Sequence, residues 1–97
     1  MTKVRDTRLS DKQFAQIARA LAEPRRYQML EQISAAKDGL ACAALLDSHE
    51  VSAATLSHHL KELETAGLID VTRFGKCMSM TLNREVLNAY LSRLSSL

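Results

Sequence analysis

A chain of 97 residues has room for one domain around one core, with much surface for its volume. Hydrophobic residues at 46% and charged residues at 25% exclude a disordered chain, and no apolar run nears the roughly 18 residues of a membrane span. With 13 Lys and Arg against 11 Asp and Glu the net charge is only +2, so any anionic partner must be sought in where the cations sit.

The first residues, Met1-Thr2-Lys3-Val4-Arg5-Asp6-Thr7-Arg8, lack the apolar stretch of a secretory signal, which predicts a cytoplasmic protein. Ser10-Asp11-Lys12-Gln13 has the form of a capping box, and Phe14, Ile17, Ala18 and Leu21 follow at helical spacing. Pro24 suits the first turn of a second helix through Tyr27, Met29, Leu30 and Ile33, which stops near Lys37-Asp38-Gly39. The alanine-rich segment from Leu40 to Leu46 predicts a short support helix, and Asp47-Ser48-His49-Glu50 a tight turn.

Ser52 then has the place of an N-cap, with Val51 and Leu56 set as a hydrophobic staple across it. In this helix Leu56, His59, Leu60 and Leu63 share one face, Ala54, Ser57, His58, Lys61 and Glu62 lie on or beside the other, and Gly67 is the stop. Leu68 to Phe74 and Cys77 to Leu82 read as strands flanking a Gly75-Lys76 tip. A last helix from about Asn83 carries Val86, Leu87, Tyr90, Leu91 and Leu94 as a wide apolar stripe. The fold class expected is mainly α with a small β-hairpin: five helices and a two-stranded wing in one winged helix-turn-helix domain over 1–97.

Leu21-Ala22-Glu23-Pro24-Arg25-Arg26, Ser57-His58-His59-Leu60-Lys61-Glu62-Leu63 and Ala66-Gly67-Leu68-Ile69, in that order and spacing, resemble the ArsR/SmtB family of bacterial repressors over nearly the whole chain. The resemblance implies a homodimer, built from the first and last helices near 10–22 and 83–96. That dimer would bind an imperfect inverted repeat in double-stranded DNA until an inducer releases it. The apolar stripes on those helices independently need a cover, and burying them at about 25 cal/mol per Å2 would add stability that a small core lacks. A two-fold dimer would set its recognition helices about 34 Å apart, one DNA turn, which accounts for a palindromic operator.

By the same resemblance Ser57 and His58 match base- or phosphate-contacting positions, with Thr55 and Lys61 near them. Ala53 and Ala54 depart from the family, where a polar residue is common, so fewer base hydrogen bonds are available and DNA shape gains weight. Arg26 matches a recurrent family arginine that bonds either backbone carbonyls or phosphate, while Arg73 and Lys76 on the wing are expected at phosphate or the minor groove.

His58 and His59 are adjacent and point about 100° apart on a helix, so they are no metal-ligand pair; DNA contact is expected for His58 and packing for His59. Family members that hold thiophilic ions use two cysteines in the support helix, both absent from Gly39-Leu40-Ala41-Cys42-Ala43-Ala44-Leu45, where Cys42 takes the intervening place. Another family site uses Asp and His on the last helix, and positions 83–97 contain neither. No cofactor is therefore expected.

Cys42 and Cys77 leave open a thiol-based redox or soft-metal sensor on the same fold. Alternation along the strand turns Cys77 away from Met78 and Met80, making it the more accessible of the two. A winged-helix module that binds protein and not DNA is the alternative from another class. No phosphate-cradling glycine loop and no nucleophile with a base and orienting acid is in place, so an enzyme is not expected.

Overall fold

In a computed structural model that describes residues 9–97, five helices and three strands follow one another as α1 (Asp11–Leu21), α2 (Pro24–Ala35), β1 (Leu40–Ala41), α3 (Cys42–Ser48), α4 (Ala53–Thr65), β2 (Ile69–Phe74), β3 (Cys77–Leu82) and α5 (Arg84–Ser95). The eight N-terminal residues, on which the expectation about a leader segment rests, lie outside the described residues. Among the described residues no helix is long and apolar enough to cross a membrane.

The helix starts follow local chemistry. Ser10 Oγ accepts from the Gln13 N–H, Glu23 Oε1 from the Arg26 N–H with Pro24 at the first turn, Ser52 Oγ from the Thr55 N–H, and Asn83 Oδ1 from the Val86 N–H. Each cap satisfies a donor the helix itself leaves open. The capping box expected at Ser10 is only half used, because the Gln13 side-chain amide donates instead to the Ala66 carbonyl at 3.1 Å. That bond joins the first helix to the end of α4.

At that end Gly67 N–H donates to Glu64 O and Leu68 N–H to Leu63 O, the two bonds of a Schellman stop, and Gly67 takes φ +84° as the motif requires. The chain thereby leaves α4 directly into β2.

The sheet is antiparallel in the order β1-β3-β2, with Val71 opposite Met80, Arg73 opposite Met78 and Phe74 opposite Cys77. Leu40 and Ala41, expected inside the support helix, instead pair with Met80 and Ser79, so that helix starts at Cys42. The wing hairpin thus gains a short third strand at its base. Ile17, Met29, Ile33, Leu45, Leu56, Leu63, Leu68 and Met80 form the centre of one core to which α1 to α4 and the sheet contribute.

The fifth helix is different: none of its residues is fully buried. Val86, Leu87 and Tyr90 pack partly against the core, while Leu91 and Leu94 are 50% and 39% exposed. Phe14 and Tyr90 hold α5 to α1 with ring centroids 5.0 Å apart, and the Arg93 guanidinium lies 4.1 Å over the Phe14 ring while bonding Asp11 at 2.8 Å.

Candidate nucleic-acid interface

The 3.6-residue period of α4 divides its two jobs. Leu56, His59, Leu60 and Leu63 are buried, which leaves Ala53, Ala54, Thr55, Ser57, His58 and Lys61 exposed on the outer side. Val51 is half-buried against the core just before the Ser52 cap, where a staple would hold the first turn. Ser52 Oγ also donates to Thr55 Oγ1 at 3.1 Å, so the Thr55 hydroxyl is partly engaged at the helix start.

Across from this face stands the hairpin. An open cleft of about 550 Å3 runs between α4 and the wing, and Ser57, His58, Lys61 and Arg73 all line it. Leu60, Val71, Met78 and Met80 contribute apolar lining, and Glu62 and Glu64 line it as well. The structure therefore brings together four of the seven residues expected at DNA. Thr55 lies at the start of α4 and Lys76 at the exposed hairpin tip, both outside the cleft lining but on accessible surface.

Arg26 is the exception. It is 8% exposed, its Nη1 donates to the Arg19 and Ala20 carbonyls at 3.5 and 3.4 Å, and its Nε donates to His59 Nδ1 at 3.3 Å. Of the two roles open to it from sequence, carbonyl bonding is the one seen, and the guanidinium is engaged inside the subunit. It completes the C-terminal end of α1, whose last carbonyls lack helical partners.

His59 is packed, as expected, and 8% exposed. Burial, then the neighbouring Arg26 charge, holds its pKa below the usual histidine value. A neutral ring is what the geometry needs, since Nδ1 must offer a lone pair to Arg26.

His49 carries a role that sequence reasoning did not assign. It sits buried in the turn between α3 and α4, with Arg25 Nη1 3.1 Å from its Nδ1 and its Nε2 bonded to Gln32 Oε1. Gln32 Nε2 in turn donates to Ser48 Oγ at 3.1 Å. Both arginines of the Pro24-Arg25-Arg26 segment thus clamp the helix-turn-helix through a histidine. No local signal marks His49, which in sequence is one polar residue in a polar turn.

Cys42 opens α3 half-buried and Cys77 opens β3 exposed; both are free thiols. Cys77 lies opposite Phe74 on the wing face away from the α4 cleft. Among the described residues, no group of three or more His, Cys, Asp or Glu is placed to hold a metal ion.

Residues 21–72, just over half the chain, match the profile of a helix-turn-helix domain family. The arsenical resistance operon repressor of Staphylococcus xylosus is 33% identical over 81 residues, which span 82% of this chain and 75% of that protein. Among solved structures, an ArsR-like transcriptional regulator from Rhodococcus sp. RHA1 superposes with a TM-score of 0.76 at 21% identity, covering 88% of this chain and 78% of that one. A homodimeric winged helix-turn-helix DNA-binding domain from Mycobacterium bovis, described as a possible ArsR-family regulator, gives 0.71 at 23% identity, covering 99% and 90%. The two structures share the fold, and the sequence matches carry the kinship: the chain belongs to the ArsR family of winged helix-turn-helix, DNA-binding transcriptional regulators and is not an enzyme.

Proposed function

We propose that the chain is a cytoplasmic, homodimeric repressor that blocks transcription by seating two copies of α4 in successive major grooves of an imperfect inverted repeat, until an inducer releases it. The observation that carries this reading is the cleft that sets the exposed Ser57, His58 and Lys61 of α4 beside Arg73 of the wing. A helix of this kind enters the major groove while its cationic flank meets the phosphates. In this reading Ser57 and His58 contact base edges or phosphate, and Lys61, Arg73 and Lys76 supply phosphate affinity. Thr55 adds a contact at the start of the helix. Arg26 acts from inside by holding α4 to α2.

Dimerisation through α1 and α5 is supported by the uncovered Leu91 and Leu94 and by a cleft of about 470 Å3 between α2 and α5 that one subunit leaves open. The Mycobacterium bovis domain with the same fold is homodimeric. The reading assigns no metal or other cofactor, because neither cysteine pair nor Asp and His ligands stand where the family resemblance would put them.

The test is enrichment of duplexes from a random DNA library by the purified chain, followed by binding titrations at several salt concentrations. Recovery of an inverted repeat bound at nanomolar level, with affinity falling steeply as salt rises, is expected. Failure to enrich any duplex, or affinity indifferent to salt, would overturn the reading.

A further inference from the structure

Two Phe and two Tyr are the aromatic residues of the chain, and there is no Trp. Phe14 and Tyr90 pack on each other at a tilt of 37° between α1 and α5, and Tyr27 lines the cleft beside α5. Phe74 does nothing comparable for the fold. It is 60% exposed, more than any other large apolar side chain among the described residues except Leu97, and it takes no part in the core. A single exposed apolar side chain is ordinary on a protein surface, but hairpin tips normally carry polar residues, and an aromatic ring at this place is suited to a partner.

Its neighbours say which. Strand alternation puts Arg73 on the cleft side of the wing, opposite Met78, and Phe74 on the other side, opposite Cys77. Lys76 follows at the turn, exposed to solvent, and Gly75 beside it has open space around it with φ +58°. The tip therefore presents an apolar ring flanked by two cations on a narrow, unobstructed hairpin. An apolar protein surface would desolvate both cations without compensation; a groove walled by phosphates satisfies them and receives the ring between its walls.

We propose that Phe74 is an apolar wedge that enters the DNA minor groove beside the one-turn major groove held by α4, partly unstacking a base step there. This rests on the repressor reading and adds to it a second, hydrogen-bond-free source of specificity. Arg73 on the near side and Lys76 at the tip hold the phosphates that border the groove. The ring then favours steps that open easily, TA and CA/TG, at positions flanking those contacted by α4. A reader with Ala53 and Ala54 in its recognition helix has few base hydrogen bonds to offer, and a wedge in the wing makes up part of that shortage.

The test uses a duplex enriched by the wild-type chain, with 2-aminopurine placed at the flanking step. Phe74→Ala should weaken binding about tenfold while leaving the salt slope unchanged, because no counterion is released by a ring. Its thermal midpoint should match wild type, since the side chain is exposed. Wild type should brighten the 2-aminopurine and Phe74→Ala should not. Phe74→Trp, the only tryptophan in that variant, should keep affinity and lose emission on binding DNA. Phe74→Ala binding like wild type, or weakened binding with Trp emission unchanged in Phe74→Trp, would overturn the wedge and leave the repressor reading standing if Arg73→Ala still weakens binding. Enrichment of no duplex by wild type would take down both.

Discussion

Arg26 Nε donates to His59 Nδ1 at 3.3 Å, and this bond joins α2 to the buried side of α4. His59 must be neutral to accept it. Burial and the charges of Arg26, His58 and Arg25, opposed by Glu23, keep its pKa below the ordinary 6.5. In the unfolded chain the ring takes up a proton as pH falls below that value, whereas in the fold it resists. Stability from this site is thus complete above the unfolded pKa and is lost as pH falls through the lower folded one. Denaturant unfolding should show less stability at about pH 5 than at about pH 8. His59→Asn, whose amide oxygen keeps an acceptor near Nδ1, should show a shallower decline; an identical pH profile would remove His59 from the explanation.

Gly67 is a second place where one residue type is required. Its φ is +84°, and a Cβ there would stand 2.7 Å from Gln13 Nε2, the amide that holds the Ala66 carbonyl. Gly67→Ala should cost about 2 kcal/mol, combining the left-handed backbone penalty with loss of that hydrogen bond. In Gln13→Ala the bond is already gone and the space is free, so adding Gly67→Ala should cost less than it does alone. Additive losses in a denaturation cycle would show that the two residues are not coupled.

These two sites mark what is legible in the sequence and what is not. Ser10, Pro24 and Ser52 announce their helices because a cap acts on donors within three residues, and the exposed face of α4 follows from the spacing of Leu56, Leu60 and Leu63. Leu40 and Ala41 mislead because their strand character comes from pairing with Met80 and Ser79, far along the chain, while an alanine-rich run favours helix locally. Arg26 has the residue type of a phosphate ligand, and only the tertiary meeting with Ala20 O and His59 turns it inward. For His49 the decisive partners, Arg25 and Gln32, come from another helix, and its own neighbours in sequence are silent.

The half-exposed leucines of α5 make the dimer testable without unfolding the subunit. Leu91→Glu places a charge where one subunit already admits water and where a paired subunit would exclude it. The variant should sediment as a monomer at concentrations where wild type is a dimer, and should lose the concentration dependence of its thermal midpoint. A variant that stays dimeric would move the interface away from this face.

Thiol sensing on this fold requires Cys77 to respond first. It is exposed at the hairpin whereas Cys42 is half-buried, so a thiol reagent should modify Cys77 faster in the native protein. If oxidation is the releasing signal, peroxide should weaken DNA binding by wild type and leave Cys77→Ser unaffected. Equal behaviour of the two proteins would exclude Cys77 as a sensor and leave a repressor with another inducer.

In the proposed repressor, the cleft between α4 and the wing separates affinity from sequence preference. Lys61 and Arg73 line it, and with the phosphate role proposed for them Lys61→Ala or Arg73→Ala should weaken binding to every duplex by a similar factor. Removing one cation from a phosphate should also lower the slope of log affinity against log salt by about 0.9 per subunit. Ser57 and His58 are short or planar groups on the same face, suited to base edges. Ser57→Ala or His58→Ala should therefore weaken the enriched inverted repeat more than a scrambled duplex, at nearly constant salt slope. The contrast is the measurement, since a general loss of fold would lower both duplexes alike. If Lys61→Ala discriminated between duplexes and Ser57→Ala did not, the roles within the cleft would have to be exchanged, with phosphate held at the start of α4 and bases read toward its middle.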